Sequence, residues 1–187
     1  MRKNFGAKPW TLPQPVYIIG TYDDDGVPNA MNAAWGGISG DSEISFCLSK
    51  NHRTVKNLKA NGDFTVSMAT EDYRVECDYV GLVSGNDKED KLERAGFTCV
   101  MSEHVNAPII CELPMTLECR MISYDDKTQI LRGEILNVSA DESILTEDGK
   151  IDVDKLHPLI FDVVNLSYRS LGDKVGKAFR DGKELIK

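Results

Sequence analysis

No apolar run in the chain approaches the roughly 20 residues that a membrane-crossing helix needs, so no membrane partner is expected. The opening residues MRKNFGAKPW are charged and lack the apolar stretch of a secretory signal, which predicts a cytoplasmic protein. Five cysteines are present, Cys47, Cys77, Cys99, Cys111 and Cys119, an odd count without any CxxC spacing. Such cysteines suit a reducing compartment, where each acts as a small hydrophobe. The three histidines show neither HxxxH nor HxH spacing, and both patterns argue against zinc. Excess positive charge is missing as well. The net charge is −8, whereas a nucleic-acid binder would carry a basic stripe along one face. Repeats, low-complexity tracts and linkers are absent, so residues 1–187 read as a single domain. Asn137-Val-Ser139 and Asn165-Leu-Ser167 match glycosylation acceptors by pattern alone, without weight in a chain read as not secreted.

What is present is a core-forming, soluble composition, 41% hydrophobic and 28% charged. Strand signals dominate. PVYIIGTY (15–22) is β-branched and aromatic and runs into Asp25-Gly26, a strong hairpin turn, with VPNAMNAAW as a less regular return. The glycine-rich Gly36 to Gly40, then Ile44 to Leu48 and Phe64 to Ala69, follow. A helix-prone middle holds ECDYVGLVSG and DKLERAG. A second antiparallel pair is expected from MTLECRMISY and QILRGEILNVS about a turn at Asp125 to Thr128. PLIFDVVNLSY reads as a final strand, before a charged tail with a weak helical pattern at KVGKAF. Short strands joined by hairpins, with few helices between them, predict a mainly β, closed or nearly closed antiparallel barrel. A parallel doubly wound sheet is incompatible with the first hairpin.

Two nucleotide-like motifs fail. WGGISG has Trp35 where the dinucleotide fingerprint needs its first glycine, and no helix follows. GDKVGK (172–177) is one residue short of a phosphate loop and continues with Ala178. A better candidate is Ser49 to Gly62, SKNHRTVKNLKANG, where Lys50, Arg53, Lys56 and Lys59 occur with no acid. Val55 and Leu58 at helical spacing and Gly62 as a stop predict a short helix. Cations at a helix N-terminus are unfavourable by about 0.3–1 kcal/mol each. A bound anion reverses the sign, because each charge-assisted hydrogen bond contributes about 1.5–3 kcal/mol. Free N–H groups, Ser49, Asn51, His52 and Thr54 complete a phosphate-binding set. Solvated side chains on an exposed helix remain the competing reading. Asn32-Ala33-Ala34-Trp35 offers small residues that let a flat ring approach the backbone, though core packing explains them equally. His104 and His157 read as structural, and Tyr73, Tyr79 and Tyr124 as core or edge residues.

Taken in order, several segments resemble the flavin reductase-like family with the FMN-binding split barrel, most closely its flavoredoxin branch. They are Pro28 to Trp35, Ser49 to Thr54 with Asn57, and Gly62 to Val66. Gly81 to Gly85 with Asp90-Lys91, Leu117-Glu118-Cys119, Gly133-Glu134 and Tyr168 continue the match. It covers roughly Pro13 to Gly182, and the order and spacing of the segments carry it. The resemblance implies a six-stranded antiparallel Greek-key split barrel with a few short peripheral helices. It also implies a homodimer, with FMN in a groove near the subunit interface. Under it the flavin ring rests on Asn32, Ala33, Ala34 and Trp35, whose backbone faces the N5 and O4 edge. Ser49, Lys50, Asn51, His52 and Thr54 meet the ribityl chain and phosphate, with Asn57 nearby. Lys91 and Tyr168 are carried over as lids or second-subunit contacts. The family often has Arg where Lys50 stands, and Arg grips a phosphate bidentately where Lys cannot.

The function implied is an FMN-dependent oxidoreductase taking hydride from NAD(P)H at flavin N5 and passing electrons to a flavin or small acceptor. No general base is required for this, and no catalytic triad or carboxylate pair is evident. The alternative is a flavoredoxin-type electron carrier reduced by a redox protein partner, which the acidic balance favours. A non-catalytic module binding another anion is the third reading.

Overall fold

Alternation along one strand divides its side chains between two cores. The computed structural model describes residues 1–186. Its strands are β1 (Gln14–Pro15), β2 (Tyr17–Tyr22), β3 (Pro28–Ala33), β4 (Gly36–Gly40), β5 (Glu43–Cys47) and β6 (Asp63–Met68). They continue with β7 (Cys99–Met101), β8 (Pro108–Ile110), β9 (Met115–Asp125), β10 (Ile130–Ala140), β11 (Ile160–Asp162) and β12 (Ser167–Arg169). The helices are α1 (Arg53–Asn61), α2 (Arg74–Leu82), α3 (Lys91–Arg94) and α4 (Val153–Leu156). In β2, Tyr17 and Ile19 point into a core with Phe46, Phe64, Leu131 and, from α1, Val55 and Leu58. Ile18 and the preceding Val16 point the other way, onto Cys77 and Val80 of α2, Leu92 of α3 and Ile110 of β8. A strand buried on both faces explains why Val16, Tyr17, Ile18 and Ile19 follow one another without a charged residue.

Seven strands form one antiparallel sheet in the order β3-β2-β6-β9-β10-β5-β4. Its two edges, β3 and β4, are consecutive in the chain and only Ala34 and Trp35 separate them. Flat, seven strands would hold their edges about 29 Å apart. The step from Ala33 to Gly36 spans at most about 11 Å. The sheet must therefore curl until its edges meet, which makes it a split barrel. The expectation was six strands, and the glycine-rich Gly36 to Gly40 supplies the seventh by pairing with β5. Outside the barrel lie a three-stranded sheet, β1-β11-β12, and the ribbon β7-β8.

The turns form as their residues dictate. Asp23 Oδ1 accepts from the N–H groups of Asp25 and Val27, and Gly26 adopts φ +78° between β2 and β3. Asp125 Oδ1 does the same for Lys127 and Thr128 between β9 and β10. Gly62 ends α1 in the left-handed region with its N–H on Leu58 O at 2.8 Å. The expected single strand PLIFDVVNLSY is instead two. Asp162 accepts from the N–H groups of Val164 and Asn165, and this folds the chain back between β11 and β12. KVGKAF forms no helix, and the tail's regular turn is a 3₁₀ segment at Asp181–Leu185.

At Gly133, in β10, a Cβ would stand 2.3 Å from Cζ of the fully buried Phe64 ring. Gly133→Ala is expected to destabilise the fold by about 1–3 kcal/mol through overpacking. Urea unfolding curves that coincide with wild type would show that the core yields at this point.

Candidate functional site

Ala34 and Trp35, the residues that close the barrel, are also one wall of a cavity of about 230 Å³. Met31, Asn32 and Ala33 from β3 continue that wall, and Cys47, Leu48, His52, Phe161 and Tyr168 complete the lining. Ala33 and Ala34 are buried and present no side chain beyond a methyl, so a flat group can lie against the strand. Trp35 is 48% exposed at the rim. An aromatic row runs from it, Trp35 to Phe161 with ring centroids at 6.2 Å and Phe161 to Tyr168 at 6.1 Å. Tyr168 is fixed from behind. Its hydroxyl donates to Asp78 Oδ1 at 2.6 Å, and Asn32 Nδ2 donates to Cys77 O at 3.1 Å and Tyr168 Oη at 3.5 Å. Burial and then the Asp78 carboxylate push the Tyr168 phenol well above its ordinary pKa, so it stays protonated.

A second cavity of about 200 Å³ adjoins the first and shares Met31 and His52 with it. Its lining includes Asn29, Arg53 and Thr54, the stretch Val80 to Gly85 after α2, and Lys91. It opens on the N-terminus of α1, where His52 makes no side-chain cap and the first turn holds no acid. Among the described residues the Arg53 and Thr54 N–H groups donate to no backbone acceptor, as expected of a helix start. Thr54 is buried and its Oγ1 accepts from Asn29 Nδ2 at 3.0 Å, which leaves the hydroxyl proton available. Asn29 Oδ1 is buried without a partner, and a Cβ on Gly85 would come within 2.2 Å of it. A side chain at position 85 would therefore have to displace the Asn29 amide from this wall. Partial burial and the Lys91 charge hold His52 below the ordinary imidazole pKa, so at neutral pH it is uncharged.

The cations of the α1 segment are largely engaged within the chain. Arg53 pairs with Asp23 at 2.6 Å, Lys59 with Asp126 at 2.6 Å, and Lys56 donates to Asn86 Oδ1 at 2.7 Å. The sequence question about basic residues at a helix start thus has a partial structural answer, because carboxylates distant in sequence compensate two of them. Lys50 and Asn51 are exposed and Ser49 half-buried, and all three lie beside the cavities without lining either. Asn57 points elsewhere. It is buried and donates to Thr21 Oγ1 at 3.1 Å, tying α1 to β2. Lys91 is no exposed flap. It is 2% exposed, and its Nζ donates to Val80 O at 3.1 Å and Val83 O at 2.9 Å. Burial pulls its pKa down to about 8. Among the predicted residues the structure brings together Asn32 to Trp35, His52 and Tyr168 in the first cavity, and His52, Thr54 and Lys91 in the second.

Sequence reasoning missed Phe161, Met31, Asn29 and Asp78. Asn29 and Met31 sit within the recognised segment Pro28 to Trp35, alternating with it toward the groove. Phe161 and Asp78 had no local signal, because strand pairing and helix packing alone bring them there.

Known proteins share this fold. The flavoredoxin of Desulfovibrio vulgaris (Miyazaki F) is 38% identical, with a TM-score of 0.93 over 97% of this chain and 100% of that one. Flavoredoxin from Methanosarcina acetivorans is 28% identical, with a TM-score of 0.88 over 99% of this chain and 100% of that one. An FMN-binding domain of flavin reductases-like enzyme from Shewanella baltica OS155 shares the fold, with a TM-score of 0.78 at 18% identity, covering 88% of this chain and 89% of that one. An uncharacterised protein of Archaeoglobus fulgidus is 31% identical over 131 residues, 67% of this chain and 72% of its own. The flavin reductase like domain matches residues 10–165, which hold the whole barrel and every cavity residue except Tyr168, and the chain belongs to that family.

Proposed function

We propose that this chain binds FMN along the joined cavities and acts as an oxidoreductase. The observation that carries this reading is the polarity of the groove. One end is flat, apolar and aromatic, while the other holds a helix N-terminus, a free hydroxyl proton and a buried ammonium. A flavin mononucleotide has the same order of parts, a planar ring, a chain and a phosphate. The two cavities together fall within the roughly 300–1,000 Å³ usual for small-molecule sites. In this reading Asn32, Ala33, Ala34 and Trp35 carry the ring and Tyr168 stands at its side. His52 and Thr54 hold the phosphate end with Lys91, and Ser49, Lys50 and Asn51 lie along the approach to it. Asn57 is left out, as a packing residue.

FMN, when bound, supplies the chemistry, taking hydride at N5 from NAD(P)H and passing electrons to a flavin or small acceptor. The chain's own work is to orient and to shield. Tyr168, protonated and tied to Asp78, is a fixed wall and not a base. Asn32 holds that wall to α2. Partial exposure of Trp35 leaves the ring side of the first cavity open to a second reactant. A second reading, an electron carrier reduced by a redox protein, is favoured by the 38% identity to a flavoredoxin and by the net charge of −8.

We also read residues 1–187 as one such domain that works as a homodimer in the cytoplasm. The tail supports the dimer. Val175 is 101% exposed and Phe179 97%, and neither joins a core of its own chain. In this reading these exposed apolar side chains rest on the partner subunit. Light scattering on the eluting protein is expected to give twice the chain mass, and the monomer mass at micromolar concentration would refute the dimer.

The decisive test of function is the visible spectrum of the purified or FMN-supplemented protein, followed by anaerobic NADH and then NADPH. Flavin bands that bleach within seconds are expected, and the nucleotide that bleaches them is the donor. Bands that persist with both nucleotides but bleach with dithionite would favour the carrier. Absence of flavin bands after FMN addition would overturn the FMN reading.

A further inference from the structure

A third cavity, of about 500 Å³, is larger than either part of the groove. It meets the first cavity at Ala34, Trp35 and Cys47, which line both. One side is β4, where a Cβ on Gly37 would meet nothing within 4 Å, so the space is open above the backbone. The other side is the segment leading into β1. Among the described residues no Asp, Glu, Lys, Arg or His lines it, so a charged group entering would find no counter-charge. Its polar side chains are few. Ser45 Oγ donates to Ser39 Oγ at 2.6 Å, and Thr11 is exposed to solvent. Gln14 differs from both, because it is 5% exposed and its Oε1 has no hydrogen-bond partner. A buried amide oxygen left without a donor is unfavourable, and a donor entering beside it removes the imbalance. The terminal torsion of a glutamine is broad, so the same amide can turn its oxygen toward the cavity. Strand pairing sets Gln14 opposite Phe161, the middle ring of the aromatic row, which keeps it close to the ring cavity as well.

We propose that the third cavity seats the second reactant, and that Gln14 selects there a flat ring bearing a primary carboxamide, the nicotinamide of the hydride donor. The role deepens the oxidoreductase reading and rests on it. A carboxamide carries an N–H2 donor for the Gln14 oxygen and a carbonyl acceptor for its nitrogen, so two amides satisfy each other in one plane. A carboxylate on the same ring has no donor and brings a charge into a lining that holds none to meet it. Trp35, 48% exposed, offers the ring an aromatic face at the boundary of the two cavities. As an edge strand of the seven-stranded sheet, β4 also keeps part of its backbone N–H and C=O groups unpaired along the cavity side. The division of chemistry is then by cavity. Cations and a helix start line the second, apolar and aromatic groups the first, and a neutral amide the third.

The test titrates the full-length protein, flavin-free and FMN-loaded, with nicotinamide mononucleotide and with nicotinic acid mononucleotide. The two differ only at the amide, and both are oxidised, so neither reduces a bound flavin. Calorimetry on wild type is expected to show the amide form binding about tenfold tighter or more, the value of one polar group left unpaired. Loading with FMN should leave that affinity within about threefold, because the ring cavity is a separate space. Gln14→Met is expected to weaken the amide form about tenfold and to change the acid form less than about twofold. In a Trp10→Phe background the amide form should quench the emission of Trp35, the one tryptophan then left. Equal affinities for the two forms in wild type, or an amide preference that disappears once FMN is loaded, would overturn the site. That comparison decides even where Gln14→Met fails to fold. A folded Gln14→Met that keeps the wild-type preference would overturn the role of Gln14. Should the protein take up no FMN, the FMN reading falls by itself. An amide preference of the flavin-free protein that Gln14→Met erases still supports the site, and its absence refutes it.

Discussion

Ala34 and Trp35 carry the chain between the two edges of the sheet, and the curl of the barrel follows from how short that crossing is. A two-residue link cannot bridge a flat seven-stranded sheet, so the edges converge. Where they converge, backbone and small side chains form a wall instead of a packed core, because β3 and β4 do not pair with each other. Trp35 O still finds a partner in the Cys47 N–H at 2.8 Å, which pins the crossing to β5. The first cavity is therefore a consequence of closure. Larger side chains at Ala33 or Ala34 would fill it, and a longer link would let the edges part.

The second cavity follows from a different conflict. A helix start prefers anions, yet α1 begins with no acid in its first turn and with Arg53 as its first residue. The fold resolves part of this by bringing Asp23 from the β2-β3 turn against Arg53. It leaves Lys91 unresolved. Its two carbonyl acceptors at the end of α2 lower the expense of burial without cancelling the charge. An excess of positive potential is thus stored at the junction of α1, α2 and α3, one wall away from the apolar slot. Neither feature is unusual alone. Their adjacency across Met31 and His52 is what the proposed cofactor groove rests on.

Much of this was legible in the residues. The hairpin at Asp25-Gly26, the β9-β10 pair, the stop at Gly62 and the acid-free first turn of α1 all rest on local chemistry, and local chemistry reads directly from a sequence. The seventh strand was not legible, because Gly36 to Gly40 has little strand propensity and forms only by pairing with β5. Asn57, carried over from the resemblance, lines neither cavity, because its amide donates to the Thr21 hydroxyl on β2. Lys91 was named, yet its burial was invisible, since a lysine in DKLERAG reads as a solvated side chain until α2 folds over it.

The groove also bears on how reactants are chosen. The Tyr168 phenol is bound to a carboxylate, and the His52 imidazole is held neutral. The phenol, so bound, is not arranged to take a proton from a substrate, whereas the neutral imidazole keeps a lone pair free. Hydride or electron transfer needs only contact and orientation, which the fixed walls of the groove supply. Selection among donors and acceptors then depends on what reaches the open side of the first cavity beside Trp35. A nicotinamide must lie flat there, while a protein partner need only present a redox centre to the rim. Under the proposed function, the reductase and carrier readings share one interior, and what the surface around Trp35 admits separates them.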